Sequence, residues 1–228
     1  MSPEELKDFY NSKRDLDLDP GAAWRQYCIV SRIEHLVKLR IIPCLSKDFK
    51  VLDYGCGSGF TASYLRYRFG WDTVCYDRYT MPPFSPNRFF RDWEEVVRNG
   101  PYHLVIASEV FEHFIHPKEQ IIQIRDVLRE DYAFVLITTG LYIPGKRNQG
   151  WNYLAPRSGQ HVSFYSRESI QEVGRLLGDC SIYQVGAEYE WLFVRRSYGP
   201  LWLWHFHLSA ASALLRKAVN LGILRNIN

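Results

Sequence analysis

The sequence predicts an α/β fold with helices on both faces of a mostly parallel seven-stranded sheet, the last two strands of which form a hairpin. Strand-like apolar runs alternate with helix-like segments over residues 50–139, and such alternation builds right-handed βαβ units. A glycine-rich turn directly follows the first run, as at the ligand-binding edge of many parallel sheets. Residues 181–196, SIYQVGAEYEWLFVRR, then have the pattern of two consecutive strands.

The spacing of apolar residues places each element in order. Residues 24–40 have helical periodicity, and Pro43 is expected to end that helix. We expect strands at residues 50–54, 71–77, 87–92, 103–108 and 133–139. We expect helices at residues 60–69, 93–98 and 117–129, and a further helix at residues 166–177 that Ser166 can cap.

The length of 228 residues suits one domain with additions at both ends. We expect an N-terminal helical region at residues 1–45, a main domain at residues 46–197 with a lid loop at residues 140–165, and a helical tail at residues 198–228. The tail alternates tryptophan and phenylalanine with other residues in LWLWHFHL. It could pack on the domain, join two subunits in a homodimer, or contact a membrane surface peripherally.

Charge and cysteine content exclude several classes of protein. A net charge of +3 is too small to indicate a nucleic-acid partner. The five cysteines are odd in number and form no CxxC pair, which argues against a disulfide framework or a structural zinc site. The N-terminus lacks the apolar core of a signal peptide, and no spanning segment is found. We therefore expect a cytoplasmic protein.

The most informative segment is VLDYGCGSG, residues 51–59, where an apolar strand enters a glycine-rich turn and then a helix. Glycines allow a tight turn and close approach of the backbone to a ligand. The dinucleotide motif GxGxxG is not matched, because Phe60 stands where its third glycine would be. Asp53 is unsuited to a pyrophosphate and suits a cationic ligand such as the ammonium group of an amino acid.

Acidic residues also follow the next two strands. Asp77 ends the second strand, where a carboxylate can accept hydrogen bonds from two ribose hydroxyls. Asp92 and Trp93 follow the third strand, and an acid beside an aromatic ring can bind an adenine amine and stack on its ring.

Together, VLDYGCGSG, Asp77, Asp92 and the later SEVFEHF resemble the class I methyltransferases that use S-adenosylmethionine (SAM), over residues 25–195. The resemblance implies a Rossmann-like fold and a SAM site. In that site Asp53 and the three glycines would line the methionine end, Asp77 would hold the ribose and Asp92 the adenine. The residues expected to bind SAM are Asp53, Tyr54, Gly55, Cys56, Gly57, Gly59, Asp77, Arg78, Asp92, Trp93, Ser108 and Glu109.

A cluster of acids and histidines follows the fourth strand. A helical turn starting at Glu109 would place Glu112 and His113 on the same face as Glu109. Two carboxylates and an imidazole so arranged can hold a divalent ion, with His161 as a candidate fourth ligand from beyond the fifth strand. Without a metal, His113 could act as a general base, or the cluster could have a structural role.

This pattern of Glu-x-x-Glu-His with a distant histidine resembles two subgroups, the ubiquinone-biosynthesis O-methyltransferases and the small-RNA terminal ribose methyltransferases. In both, the resemblance implies a divalent ion, with magnesium as the expected one, that orients the acceptor hydroxyls. We therefore expect Glu112 and His113 to be catalytic and Glu109, Glu112, His113 and His161 to bind metal.

The lid loop supplies the candidate acceptor residues Trp151, Tyr153 and Arg157, which could stack on a ring or meet an acidic group. The sequence favours an O-methyltransferase acting on a hydroxyl of a small molecule, a sugar or a lipid-linked precursor. The alternatives are a metal-free N- or C-methyltransferase, an RNA ribose methyltransferase, and a non-catalytic binding subunit with the same fold.

Overall fold

The computed structural model describes residues 20–43, 47–143, 145, 151–155, 160–186, 189–196 and 224–226. The α-helices in these residues are α1 (Pro20–Lys38), α2 (Phe60–Phe69), α3 (Trp93–Asn99), α4 (Pro117–Asp126) and α5 (Arg167–Leu176). The strands are β1 (Lys50–Tyr54), β2 (Asp72–Tyr76), β3 (Phe89–Phe90), β4 (Leu104–Ser108), β5 (Tyr132–Thr138), β6 (Ser181–Val185), β7 (Glu190–Arg196) and β8 (Leu224–Asn226). Short 3₁₀ helices lie at Pro86–Arg88, Phe111–His113 and Asn152–Leu154.

All the strands belong to one sheet, in the order β3-β2-β1-β4-β5-β7-β6-β8. The strands from β3 to β5 pair in parallel, whereas β7 pairs antiparallel with both β5 and β6. The predicted parallel sheet ending in a hairpin is therefore confirmed. Residues 224–226 were expected to be helical and instead form β8, because they pair antiparallel with β6. The rest of the predicted tail, with its proposed dimer or membrane contact, lies outside the described residues.

Helices cover both faces of the sheet, and each face has its own apolar core. On one face α1 and α2 bury side chains that include Ile33 and Leu65. On the other face α4 and α5 bury Ile124 and Ile170, among others. Burial of one such aliphatic side chain stabilises the fold by about 1.5–3 kcal/mol. Both cores pack directly against the strands and so fix the strand ends that form the candidate site.

Two helices end earlier than predicted. Helix α1 ends at Lys38, because Arg40 takes a positive φ of 56° and the amides of Ile41 and Ile42 donate back to the carbonyl of Leu36. That turn buries both isoleucines. Helix α4 ends at Asp126, and residues 127–129 that follow it exchange main-chain hydrogen bonds with Tyr102.

No helix in the described ranges is both long enough and apolar enough to cross a membrane. The cysteines described at positions 28, 56, 75 and 180 carry free thiols, and Cys44 lies outside the described residues.

Candidate active site

The carboxyl ends of β1, β2, β4 and β5 lie along one edge of the sheet, since these strands run parallel. This edge brings together Asp53 near the end of β1, Asp77 just after β2, Ser108 at the end of β4 and Thr138 at the end of β5. In open α/β sheets ligands bind outside this edge. Most of the polar residues singled out in the sequence therefore face one region.

The glycine turn combines one crowded position with one open position. Gly55, Gly57 and Gly59 all have positive φ, at 68°, 50° and 74°. A β-carbon on Gly55 would lie 2.6 Å from Cγ2 of Val110, whereas one on Gly57 would meet no atom of the described residues within 4 Å. The backbone of Gly57 thus faces open space in which a ligand could approach closely.

Asp53 is a buried carboxylic acid with an unused acceptor. Its side chain is 4% exposed, and Oδ2 has no hydrogen-bond partner among the described residues. Burial raises the pKa of Asp53 to about 7. A cationic ligand would satisfy this oxygen and favour the ionised form, so the site fits the ammonium group of an amino-acid moiety.

The carboxylate of Asp77 closes the turn onto β2. Its Oδ2 accepts the amide of Gly57 at 3.1 Å, and its Oδ1 accepts the amides of Tyr79 at 2.8 Å and Thr80 at 2.9 Å. Arg78 beside it is exposed. Asp77 therefore orders the loop of the glycine turn, and its remaining lone pairs are the ones that could meet a ribose.

Asp92 and Trp93 lie at the start of α3. Asp92 is the exposed N-cap residue and makes no capping hydrogen bond with its side chain. Trp93 packs edge-on against Tyr54 and Tyr76, with ring centroids 5.9 and 5.3 Å apart. These contacts fix the indole of Trp93 and the phenol of Tyr54 beside the ends of β1 and β2.

Glu112, His113 and His161 form a compact cluster beyond β4. Each offers a ligand atom, and these atoms lie within 4.8 Å of one another. The expected helical turn starting at Glu109 is wrong, because Glu109 has a positive φ of 55° and the 3₁₀ turn begins at Phe111. Glu109 consequently lies outside the three-residue cluster.

Main-chain hydrogen bonds bring the distant His161 to this turn. The amides of Val162 and Ser163 both donate to the carbonyl of Glu112, at 2.8 and 3.0 Å. The hydroxyl of Tyr165 donates to the carbonyl of Phe111 at 3.1 Å. Residues 162–165 are thereby fastened to the 3₁₀ turn, and His161 lies next to His113 with ring centroids 5.0 Å apart.

The electrostatics of the cluster favour a cation. Glu112 is fully buried, and neither carboxylate oxygen has a hydrogen-bond partner among the described residues. Burial, and then the charge of Glu109, raise the pKa of Glu112 above its usual range. The hydroxyls of Tyr153 and Thr139 offset part of this rise in the pKa of Glu112. A buried carboxylate with no donor at normal hydrogen-bond geometry is costly, and a bound cation would reduce that cost.

The two imidazoles are held in one tautomer. Nδ1 of His113 donates to the carbonyl of Gln160 at 3.0 Å, and Nδ1 of His161 donates to the carbonyl of Tyr153. A proton on Nδ1 leaves the lone pair on Nε2, and such carbonyl partners are typical of metal-binding histidines. Burial lowers the pKa of His113 to about 4, so it is neutral at physiological pH. Nε2 of His161 lies 4.0 Å from Oε1 of Glu112.

Two successive threonines beyond the cluster orient its neighbours. The hydroxyl of Thr138 donates to Oε1 of Glu109 at 2.8 Å. Burial raises the pKa of Glu109. The hydroxyl of Thr139 lies 3.1 Å from that of Tyr153, whose ring packs against the backbone of Gly140 and against His161, at 4.5 Å between ring centroids. Glu109 and Tyr153 therefore flank the cluster in fixed positions.

A cavity of about 700 Å³ opens beside the cluster, a size typical of small-molecule sites. Ser108, Glu109, Trp151 and Tyr153, which the sequence analysis singled out, line it. Arg157 lies outside the described residues.

Other lining residues were not predicted from the sequence. They come from α1, from the residues after β5, from the start of α5 and from the hairpin: Trp24, Arg25, Cys28, Tyr142, Arg167, Gln184, Tyr189 and Glu190. No local pattern marks them, since only the packing of α1 and the hairpin against this edge brings them together.

Solved structures share this fold at low sequence identity. An O-methyltransferase family protein from Burkholderia thailandensis matches 77% of the chain at 15% identity, with a TM-score of 0.53. A SAM-dependent methyltransferase from Archaeoglobus fulgidus matches 75% of the chain and 94% of its own, at 12% identity and a TM-score of 0.52. One chain of a complex between the Haloferax volcanii Trm112 methyltransferase activator and a methyltransferase matches 83% of this chain. The match covers 96% of that other chain, at 16% identity and a TM-score of 0.55.

At these low sequence identities, the similarity to the solved structures is a similarity of fold. The chain spans 59% of the length of the Burkholderia protein, and no curated protein matches the sequence. The family model described as a methyltransferase domain matches residues 23–178, which is more than half of the chain and includes the glycine turn, Asp77 and the acid-histidine cluster. The chain therefore belongs to the methyltransferase-domain family of class I SAM-dependent enzymes.

Proposed function

We propose that this protein transfers the methyl group of SAM to a hydroxyl of a small molecule, a sugar or a lipid-linked precursor, assisted by a divalent cation. The observation that carries the proposal is the fully buried, unpartnered carboxylate of Glu112 beside two histidines. It lies on the same sheet edge as the glycine turn. Magnesium is the cation we expect there, although the two imidazoles also suit borderline ions.

SAM would lie over the glycine turn. The open space above Gly57 supports a close approach of SAM to the backbone there. The unpartnered oxygen of Asp53 supports binding of the ammonium group of SAM. The ribose and adenine would follow toward Asp77 and Asp92, at the ends of the neighbouring strands. The methyl group would then point toward Ser108 and Glu109, which line the adjoining cavity.

The residues of the cluster would hold the cation and orient the acceptor. Glu112, His113 and His161 supply the ligand atoms, and Glu109, fixed by Thr138, lines the neighbouring cavity. When bound, the cation would lower the pKa of the acceptor hydroxyl. The chain itself contributes positioning, which brings the acceptor oxygen in line with the methyl–sulfur bond, and cavity walls that exclude water.

The test is methyl transfer from labelled SAM to a cell extract, with and without EDTA, followed by identification of the product. We expect EDTA to abolish transfer and magnesium or manganese to restore it. Glu112→Gln should lower activity at least about 10–100-fold, the range seen even for residues one step removed from a metal. Magnesium should also raise the Tm of the wild type, and not that of Glu112→Gln.

His116→Ala is the matched control, because His116 is a nearby exposed histidine with no side-chain capping bond. It should keep its activity and its response to metal. Transfer by the wild type that is insensitive to EDTA would overturn the metal proposal and favour the metal-free alternative, with His113 as the base. Failure of the wild type to bind SAM in calorimetry would overturn the enzymatic proposal itself.

A further inference from the structure

Tyr153 lies against two of the three residues of the acid-histidine cluster, Glu112 and His161. The sequence places it among the candidate acceptor residues, and it does line the cavity. Its main-chain carbonyl, however, accepts the hydrogen bond from Nδ1 of His161, and its ring packs against that imidazole with centroids 4.5 Å apart. This hydrogen bond keeps the proton on Nδ1 and leaves the lone pair on Nε2, the atom that lies 4.0 Å from Glu112.

The hydroxyl end of the same side chain lies beside Glu112. It is 3.1 Å from the hydroxyl of Thr139, and both hydroxyls offset part of the rise that burial causes in the pKa of Glu112. Thr139 directly follows β5 and is fully buried, so it limits where the phenol can lie. A carboxylate that binds a metal is typically oriented by such neighbouring hydrogen-bonding groups.

The surroundings of Tyr153 fix the position of its ring. A β-carbon on Gly140 would lie 2.7 Å from the ring atoms Cδ1 and Cε1, so any larger residue at position 140 would displace the ring. The indole of Trp151 is stacked on the same ring, with centroids 5.2 Å apart. Tyr153 is also the middle residue of the 3₁₀ helix Asn152–Leu154, and this turn directs its carbonyl toward His161.

We propose that Tyr153 is a positioning residue, which holds Glu112 and His161 in the arrangement that binds the cation. Its hydroxyl and its carbonyl act on two different ligand residues, so displacement of this one residue would disturb both of them. The inference rests on the proposed function for the presence of the cation. It gives Tyr153 a role in the cation site in addition to its place in the cavity wall.

Two substitutions disturb these contacts in different ways. Tyr153→Phe removes the hydroxyl and keeps the ring and the main-chain carbonyl. Gly140→Ala keeps every atom of Tyr153 and pushes its ring away from the observed position. Tyr142→Phe is the matched control for loss of a phenol hydroxyl, because Tyr142 lines the same cavity and is 37% exposed.

The first measurement is the Kd of the full-length protein for Mn²⁺ alone, by calorimetry without SAM. We expect this Kd to rise about 10–100-fold in Tyr153→Phe, the range for residues that orient metal ligands, and at least as much in Gly140→Ala. It should be unchanged in Tyr142→Phe. The Kd for S-adenosylhomocysteine should equal that of the wild type in all three variants, which shows that they are folded.

The second measurement separates positioning from a general structural role. The Mn²⁺ concentration that gives half the maximal rate of methyl transfer should rise in Tyr153→Phe by the same factor as the Kd. The rate at saturating Mn²⁺ should stay close to that of the wild type, because the cation site is then filled. A residue that only stabilises the fold would instead affect the saturating rate and the binding of S-adenosylhomocysteine.

Wild-type affinity of Tyr153→Phe for Mn²⁺ would overturn the inference, and so would a parallel loss of S-adenosylhomocysteine binding in a folded variant. Should Tyr153→Phe fail to fold, Gly140→Ala decides by the same comparison. The proposed function fails in a different measurement, namely if the wild type itself binds no Mn²⁺ or transfers no methyl group from SAM.

Discussion

Replacing Gly57 by alanine isolates the role of the glycine turn in ligand binding. Gly57 has a φ of 50°, and the added β-carbon would meet no described atom within 4 Å. Gly70, the C-cap residue of α2, offers a matched control, with a φ of 68° and equally open space around its β-carbon. The two substitutions therefore introduce the same strain, and only one of them lies at the proposed SAM site.

The expected loss of stability is the cost of a left-handed conformation for an L-residue, about 1–2 kcal/mol in each variant. In a chain of this size about 1 kcal/mol corresponds to a Tm decrease of about 2–4 °C. The effect on SAM should differ. If SAM lies against the backbone of Gly57, the methyl group of the introduced alanine occupies space that SAM needs. We then expect the affinity for SAM to fall at least about 10-fold, which is about 1.4 kcal/mol.

Differential scanning calorimetry and isothermal titration with SAM measure the two quantities separately. Gly57→Ala and Gly70→Ala should melt at similar temperatures, and only Gly57→Ala should bind SAM weakly. If both variants bind SAM with the affinity of the wild type, the ligand does not lie over Gly57. If both variants lose affinity for SAM equally, the effect comes from general destabilisation, and the proposed contact between SAM and Gly57 is refuted.

Two further predictions concern stability. Burial lowers the pKa of His103 to about 4, and its neutral Nδ1 accepts the amide of Lys50 at 3.0 Å. Near pH 6.5 this imidazole takes up a proton in the unfolded chain but not in the folded chain. The stability that neutral His103 contributes is therefore complete above pH 6.5 and is lost as the pH falls toward 4. We expect the free energy of unfolding to fall by about 1–2 kcal/mol between pH 7 and pH 5. Urea unfolding should show a smaller fall for His103→Gln. An equal fall in both proteins would contradict the assignment to His103. The hydroxyl of Ser166 accepts the amide of Ser169 in the capping box of α5. Ser166→Ala should lower the free energy of unfolding by about 1 kcal/mol in urea titration, and an unchanged midpoint would show that the cap contributes nothing.

The sheet could be predicted because its signals are local. Residues 50–54 and 60–69 form a strand and a helix with the predicted bounds, since an apolar run, three glycines and a helical pattern follow one another without interruption. Helix ends were less predictable. The end of α4 depends on residues 127–129 pairing with Tyr102, a contact about 25 residues away in sequence that no local pattern encodes.

The candidate site was predictable where it follows strand ends and unpredictable where it depends on packing. The grouping of Glu112, His113 and His161 followed from their positions after β4 and β5. The position of Glu109 did not, because a positive φ at a glutamate breaks the expected helical spacing. The place of Gln184 in the cavity lining had no sequence signal, since a glutamine near the end of a strand is ordinary until its surroundings are known.

The pairing of β5 with β7 determines which threonine hydroxyl faces each partner in the candidate site. It is a seven-residue ladder from Tyr132 opposite Arg196 to Thr138 opposite Glu190. Thr138, which contacts Glu109, ends the ladder, and Thr139, which contacts Tyr153, follows directly. Neighbouring side chains on a strand point to opposite sides, so a slip of one residue would exchange every one of them. A misregistered molecule would keep a sheet of similar appearance and turn the wrong hydroxyl toward each partner. Accurate strand alignment during folding is thus a condition for the geometry of the candidate site as well as for stability.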